Sequence, residues 1–165
     1  MSNPSKQKGT RFETAVTDYM RWALQDERIQ RLTLHGSKDI GDIGNVYFHG
    51  APVVLECKAT RAPHYAKHWG ECETEMGNRD GEYGWVIWKR PGIGLSRNDT
   101  IGQHLAYTRK QVYFQMTDML GPQGSTFDAL TVKIPRNPLL IGLNLEHLAL
   151  LLNNGVEIGP DQPEF

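Results

Sequence analysis

The sequence predicts an α/β fold, a central sheet flanked by helices, with its elements in the order helix, three strands, helix, strand. Three observations predict it. Phe12, Val16, Tyr19, Met20 and Ala23 recur at the spacing of one helical face. Short β-branched and aromatic runs follow, punctuated by Gly, Pro and Asn. A polar stretch carrying Tyr65, Trp69 and Met76 then separates those runs from the aromatic segment Tyr83-Gly84-Trp85-Val86-Ile87-Trp88-Lys89. At 165 residues the chain reads as one domain (1–165) with a substantial core. That core is placed over about residues 9–135, a C-terminal helix over about 144–153 and a loose tail over 156–165.

Residues 1–8 are polar and expected to be mobile, so the first helix is placed over residues 10–25. Leu32-Thr33-Leu34-His35 alternates and is placed as the first strand. Between it and the next strand lies a segment from Gly36 to Gly44 whose glycines suit a backbone bending close to a ligand. Val46-Tyr47-Phe48 and Val53-Val54-Leu55 flank His49-Gly50-Ala51-Pro52 as a hairpin. A second helix starts near Ala62-Pro63 and closes at Gly77-Asn78-Arg79-Asp80-Gly81-Glu82. Residues 91–99 form a glycine-rich loop, and 103–120 fit strand or helix equally. Phe127-Asp128-Ala129-Leu130-Thr131-Val132-Lys133-Ile134 reads as another strand, stopped by Pro135 and Pro138. Asn144 is placed to cap a helix through Leu145, Leu148, Leu151 and Leu152 that ends at Asn154-Gly155.

A formal net charge of −1 argues against coating nucleic acid through bulk positive charge, so any such contact is local. Basic residues gather at Lys6, Lys8 and Arg11, at Arg61, Lys67 and His68, and at Lys89, Arg90 and Arg97. Glu71, Glu73, Glu75, Asp80 and Glu82 read as compensating charge between those clusters. No stretch approaches the ~20 apolar residues of a spanning helix, and the N-terminus lacks the apolar centre of a signal peptide. No membrane association and a cytoplasmic location are therefore expected, with Cys57 and Cys72 as free thiols.

Val53, Val54 and Leu55 run into Glu56-Cys57-Lys58, and a buried strand rarely closes on an acid and a lysine. Strand alternation puts Glu56 and Lys58 on one face and Cys57 on the other. With Asp42 alongside, two carboxylates can hold a hard divalent cation such as magnesium, with Lys58 next to an attacking water. That arrangement suits phosphodiester hydrolysis. Register decides whether the acids meet: Asp42 shares the face of Glu56 and Lys58 only if the hairpin loop holds an odd number of residues or the strand contains a bulge.

An acid at Asp42, a short gap, a hydrophobic strand and Glu56-Cys57-Lys58 resemble the PD-(D/E)XK nucleases, with Gly41 where that superfamily expects proline. Gly36-Ser37-Lys38-Asp39-Ile40-Gly41-Asp42-Ile43, the upstream Lys8-Gly9 with Phe12-Glu13, and the downstream Trp85-Val86-Ile87-Trp88-Lys89-Arg90 resemble the Holliday-junction resolvase branch, especially its phage-encoded members. The resemblance spans about residues 8–92. It implies a restriction-endonuclease-like core, a central mixed sheet flanked by helices (αβββαβ). It further implies a Mg2+-dependent endodeoxyribonuclease, with Mn2+ as substitute, that nicks four-way DNA junctions as a homodimer. On this resemblance Asp42, Glu56, the Cys57 carbonyl and Glu13 hold the metal, with Asp39 as a reserve acid. Lys58 positions and helps deprotonate the attacking water or stabilises charge on the phosphate. Arg11, Ser37, Lys89 and Arg90 are the DNA contacts.

Two other classes stay open, an endonuclease of the same fold acting on duplex or damaged DNA and a non-catalytic nucleic-acid-binding module. Cys57, His64, His68 and Cys72 form a zinc alternative, which lacks the close ligand pairs of structural zinc sites. The leucine-rich helix over 144–153 and the strand carrying Trp85 and Trp88 are the candidate dimer surfaces.

Overall fold

The computed structural model describes residues 3–33 and 40–161; Ser37 and Asp39 lie outside the described residues. Helix α1 (Pro4–Leu24) begins well before residue 10. Asn3 explains the difference: its side chain accepts the Ser5 backbone N–H at 3.0 Å, and Pro4 occupies the first helical position, where its missing N–H costs nothing. The segment expected to be mobile is therefore an exposed extension of the helix from residue 3 onward. Phe12, Val16, Tyr19, Met20 and Ala23 form the buried face, as their spacing predicts.

The molecule is α/β, with an open, mixed and mostly antiparallel sheet of eight strands flanked by helices. The strands are β1 (Gln30–Arg31), β2 (Ile43–Gly44), β3 (Tyr47–Phe48), β4 (Ala51–Lys58), β5 (Tyr83–Trp88), β6 (Leu105–Arg109), β7 (Val132–Lys133) and β8 (Leu140–Asn144). The order is β1-β2-β4-β5-β6-β8-β7, with β3 paired to β4. β4 and β5 run parallel, joined by helix α2 (Tyr65–Arg79), and the other described pairs are antiparallel. The short α3 (Asn98–Ile101) precedes β6, α4 (Lys110–Asp118) follows it, and α5 (Leu145–Leu152) follows β8.

Register resolves the question of the acids. Phe48 pairs with Ala51 across a two-residue turn, His49 and Gly50, both at positive φ as a tight hairpin turn requires. That even loop alone would send Asp42 to the face opposite Glu56. Val53 N–H donates to Val46 C=O, yet Ile43 already pairs with Leu55. Gly44 and Asn45 therefore stand against Val54 alone, which is a β-bulge. Asn45 adopts φ 65 and its side chain donates to the Arg28 carbonyl at 2.8 Å. The bulge restores the register in which Asp42 faces the same way as Glu56 and Lys58.

Several elements depart from the sequence expectation. The first described strand is Gln30–Arg31, and the Leu32 N–H, donating to the Asp42 carbonyl at 2.7 Å, continues its pairing; residues 34 and 35 of the run expected as the first strand lie outside the described residues. Residues 127–130 belong to a 3₁₀ segment, Gly121–Leu130, and only Val132–Lys133 of the expected strand pairs. Strand β8 fills the interval after Pro138 that the prolines concealed. Residues 156–161 are not loose: Gly159 N–H donates to the Ala23 carbonyl at 2.9 Å. Neither candidate dimer surface is free, since Trp85 and Trp88 are buried in β5 and Leu145, Leu148, Leu151 and Leu152 are buried in α5.

Asn45→Ala removes both the side chain that tolerates a left-handed backbone and its bond to Arg28, and should cost about 1–3 kcal/mol in urea unfolding. Asn45→Gly keeps the backbone conformation and should cost less. A larger loss for Gly than for Ala would contradict the bulge as the source of register.

Candidate active site

The site is built at the C-terminal end of β4. Beyond β2, the Asp42 carboxylate takes over as partner for the strand: its Oδ2 accepts the Cys57 backbone N–H at 2.7 Å. Asp42 also donates its own N–H to the Leu55 carbonyl at 3.0 Å. Gly41, where the nuclease superfamily expects proline, sits at φ 103, a conformation that proline's ring forbids. A Cβ at that position would also lie 3.1 Å from Val54 Cγ1.

Glu56 and Lys58 share a face, as alternation requires, with Lys58 Nζ 3.1 Å from Glu56 Oε1. That face is covered by α2. Lys58 also bonds Glu71, and Glu75 hydrogen-bonds Glu56. Glu56 is 6% exposed and Glu75 4%. Burial, then the bond to and charge of Glu75, push the Glu56 carboxyl up to about 8, against the opposing pull of Lys58. Burial alone would lower the Lys58 ammonium, but the bonds and charges of Glu71 and Glu56 outweigh it and hold the lysine above its ordinary value. Lys58 in turn depresses Glu71.

Cys57 is buried on the other face, as expected, and is a free thiol, as is Cys72. Burial first, then the charges of Asp42, Glu56, Glu13 and Glu75, push its thiol up. Four carboxylates thus act on one point of the strand. Glu13, projecting from α1, pairs with Arg31 at 2.8 Å rather than with another member of the site. His64 and His68 lie with ring centroids 5.7 Å apart, and among the described residues no three His, Cys, Asp or Glu side chains gather as a ready ligand group, either at the zinc alternative or around Asp42 and Glu56.

Of the remaining residues expected at the site, Lys89 follows β5 and donates its backbone N–H to the Lys58 carbonyl at 2.9 Å, which places it beside the site. Arg90 is a brace: its Nη1 donates to the Gln103 carbonyl at 2.5 Å and to Asn144 Oδ1 at 2.7 Å. Arg11 is exposed on α1 and lines a shallow groove with Leu95 and Ser96. Sequence reasoning missed Glu71 and Glu75. The available signal was the spacing of His68, Glu71, Cys72 and Glu75 along one face of α2, which compensating surface acids do not need.

Compared with known proteins, the chain matches no family model, no curated protein and no solved structure.

The raised Glu56 has a measurable consequence. Between its unfolded value near 4.5 and its folded value near 8 the native state binds the extra proton, so stability falls as pH rises through that window. His68, lowered by burial and then by Lys58, works in the opposite sense below about 6.5, its ordinary value. From pH 6.5 to 8, without divalent cations, the unfolding free energy should therefore fall, on the order of a few kcal/mol. Glu75→Gln should flatten this slope. An equally steep slope in that variant would show that the Glu56–Glu75 pair is not its source.

Proposed function

We propose that the chain is a metal-dependent DNA endonuclease that hydrolyses phosphodiester bonds at Asp42, Glu56 and Lys58, with four-way junctions as its preferred substrate. One observation carries this reading. The bulge-set register holds the Asp42 carboxylate on Cys57 N–H at 2.7 Å beside the 3.1 Å Glu56–Lys58 pair. A strand buried for stability alone has no use for an acid and a lysine on one face with a third charge, Asp42, on its edge. Together with the resemblance to PD-(D/E)XK nucleases, this geometry supports cleavage over simple binding.

The donor set fits Mg2+, which takes one or two carboxylates and keeps several waters. Asp42 and Glu56 would hold it, with the Cys57 carbonyl as a further oxygen and Mn2+ as a substitute; Glu13 would join them only by leaving its pair with Arg31. When bound, the cation would supply positive charge at the scissile phosphate and favour ionisation of the attacking water. Lys58 fills one of the two roles open to it. A lysine held above its ordinary pKa is a poor base, so it acts as a positive donor that stabilises charge growing on the phosphate. Glu71 positions it. Glu75 keeps Glu56 in place through the bond between their carboxyls, and Lys89 next to Lys58 extends the positive surface along the DNA backbone.

A homodimer remains part of this reading, because two symmetric nicks call for two copies of one site. It must use a face other than the leucine helix or the tryptophan strand. A second reading, a non-catalytic nucleic-acid-binding module, draws on the closed network in which Glu56 and Glu71 both hold Lys58.

Nicking of a labelled four-way junction and of linear duplex of the same sequence, in Mg2+ and in EDTA, tests the proposal. Junction nicking in Mg2+ should fall by about 10²-fold or more in Asp42→Asn and in Glu56→Gln, with binding kept. Near-wild-type nicking by either variant would refute the site. Equal nicking of both DNAs would favour an enzyme of duplex or damaged DNA, and binding without nicking would favour the module. Lys89→Ala should weaken binding to all sequences and flatten its salt dependence.

A further inference from the structure

A second concave site lies at the far edge of the sheet. Lys110 at the start of α4, Lys133 on β7 and Arg136 in the turn beyond it line one cleft of about 560 Å³, with no carboxylate in its lining. Its volume suits a single small ligand. Trp88 pairs with Leu105 and Leu105 with Asn144, so the Lys58 end of β4 lies level with the end of β8 at Asn144. The cleft sits by Leu140, at the opposite end of that strand. Three strands also separate β7 from β4, a lateral distance of roughly 19 Å at the usual strand spacing. The cleft is thus separate from the candidate active site.

Two observations make it more than a solvated basic patch. Lys110, Lys133 and Arg136 have no acidic partner among the described residues, a state they share with exposed cations such as Lys6 and Lys67, but these three line a single cleft that contains no carboxylate. Three cations from three segments lining one cleft with no carboxylate between them favour an anion there. The second observation is conformational. Asn137 N–H bonds the Ile134 carbonyl, closing a turn with Pro135 and Arg136 at its centre, and Arg136 stands at φ 61. Proline followed by positive φ is a type II turn, whose third position favours glycine. An arginine there carries a backbone cost that glycine would not, and it presents its guanidinium to the cleft lining.

We propose that this cleft binds a nucleotide phosphate. Arg136, Lys133 and Lys110 take the phosphate oxygens, Asn137 offers a neutral polar group, and Ile134 and Ile141 supply apolar surface for the nucleoside. The phosphate belongs either to a free nucleotide or to a nucleotide of a DNA strand, and both present the same chemistry to the three cations. This inference stands apart from the proposed cleavage chemistry.

Equilibrium binding in EDTA tests it, since the carboxylates of Asp42 and Glu56 then hold no cation. The probes are adenosine 5′-triphosphate, adenosine and a 5′-phosphorylated single-stranded DNA dodecamer. The triphosphate or the dodecamer should bind at least about tenfold more tightly than adenosine, and Arg136→Gly should weaken that binding about tenfold or more. Its Tm should be unchanged or raised, because glycine suits the turn. Lys133→Gln should weaken binding in the same direction with no change at the turn, which keeps the test decisive if the glycine variant misfolds. Tighter binding of the triphosphate assigns the cleft to a free nucleotide, and tighter binding of the dodecamer assigns it to a strand. Adenosine binding as tightly as the phosphorylated probes, no binding of either phosphorylated probe, or unchanged binding by folded variants would overturn the proposal.

Discussion

A single extra backbone position decides what this sheet can do. Because side chains alternate along a strand, a hairpin with a two-residue turn and no bulge would send Asp42 to the face opposite Glu56 and Lys58. The bulge at Gly44 and Asn45 reverses that. Asn45 tolerates the left-handed backbone, and its bond to Arg28 ties the bulge to the connection after α1. A Cβ at Gly44 would lie 2.7 Å from Leu32 Cδ2, so a larger residue there would make that leucine side chain move. Gly41, at positive φ, then turns the chain so that Asp42 reaches the Cys57 N–H. The site is set by backbone geometry before any side chain contributes.

Helix α2 supplies what the strand cannot. A buried carboxylate without partners is costly, and removing one partner of a buried charged group commonly destabilises by several kcal/mol. Glu71 and Glu75 answer opposite needs: one holds the lysine charged, and the other bonds a glutamate whose ionisation burial resists. The helix sits close because β5 presents Gly84 to it; a Cβ there would come within 2.5 Å of Met76 Sδ and 3.1 Å of Cys72 Sγ. Packing and electrostatics meet at that glycine, since any retreat of α2 would also move Glu71 and Glu75.

Much of this was legible in the sequence where one physical rule dominated. Apolar periodicity located the buried face of α1, and the aromatic run located β5, because burial governs both. Alternation placed Glu56 and Lys58 together and Cys57 apart, and parity stated in advance that an even hairpin loop would need a bulge. What was not legible lay in competing local rules. Asn3 and Pro4 start a helix in polar sequence by capping rather than by periodicity. Pro135 and Pro138 looked like the end of the sheet, but they bound a turn that delivers the chain into β8. The α2 acids resembled surface charge because nothing local distinguishes a solvated glutamate from one facing a buried lysine. Arg90 looked like a phosphate contact from its position, and only tertiary structure shows its bonds to Gln103 and Asn144.

The account's central proposal is that Asp42 and Glu56 together hold a cation. The most direct measurement is anomalous diffraction from a crystal of the protein soaked in Mn2+, compared with one of the Glu56→Gln variant. The account predicts one manganese peak between the Asp42 and Glu56 carboxylates in the wild-type protein, and its loss in the variant. A peak elsewhere only, or no peak in a well-ordered wild-type crystal, would contradict it.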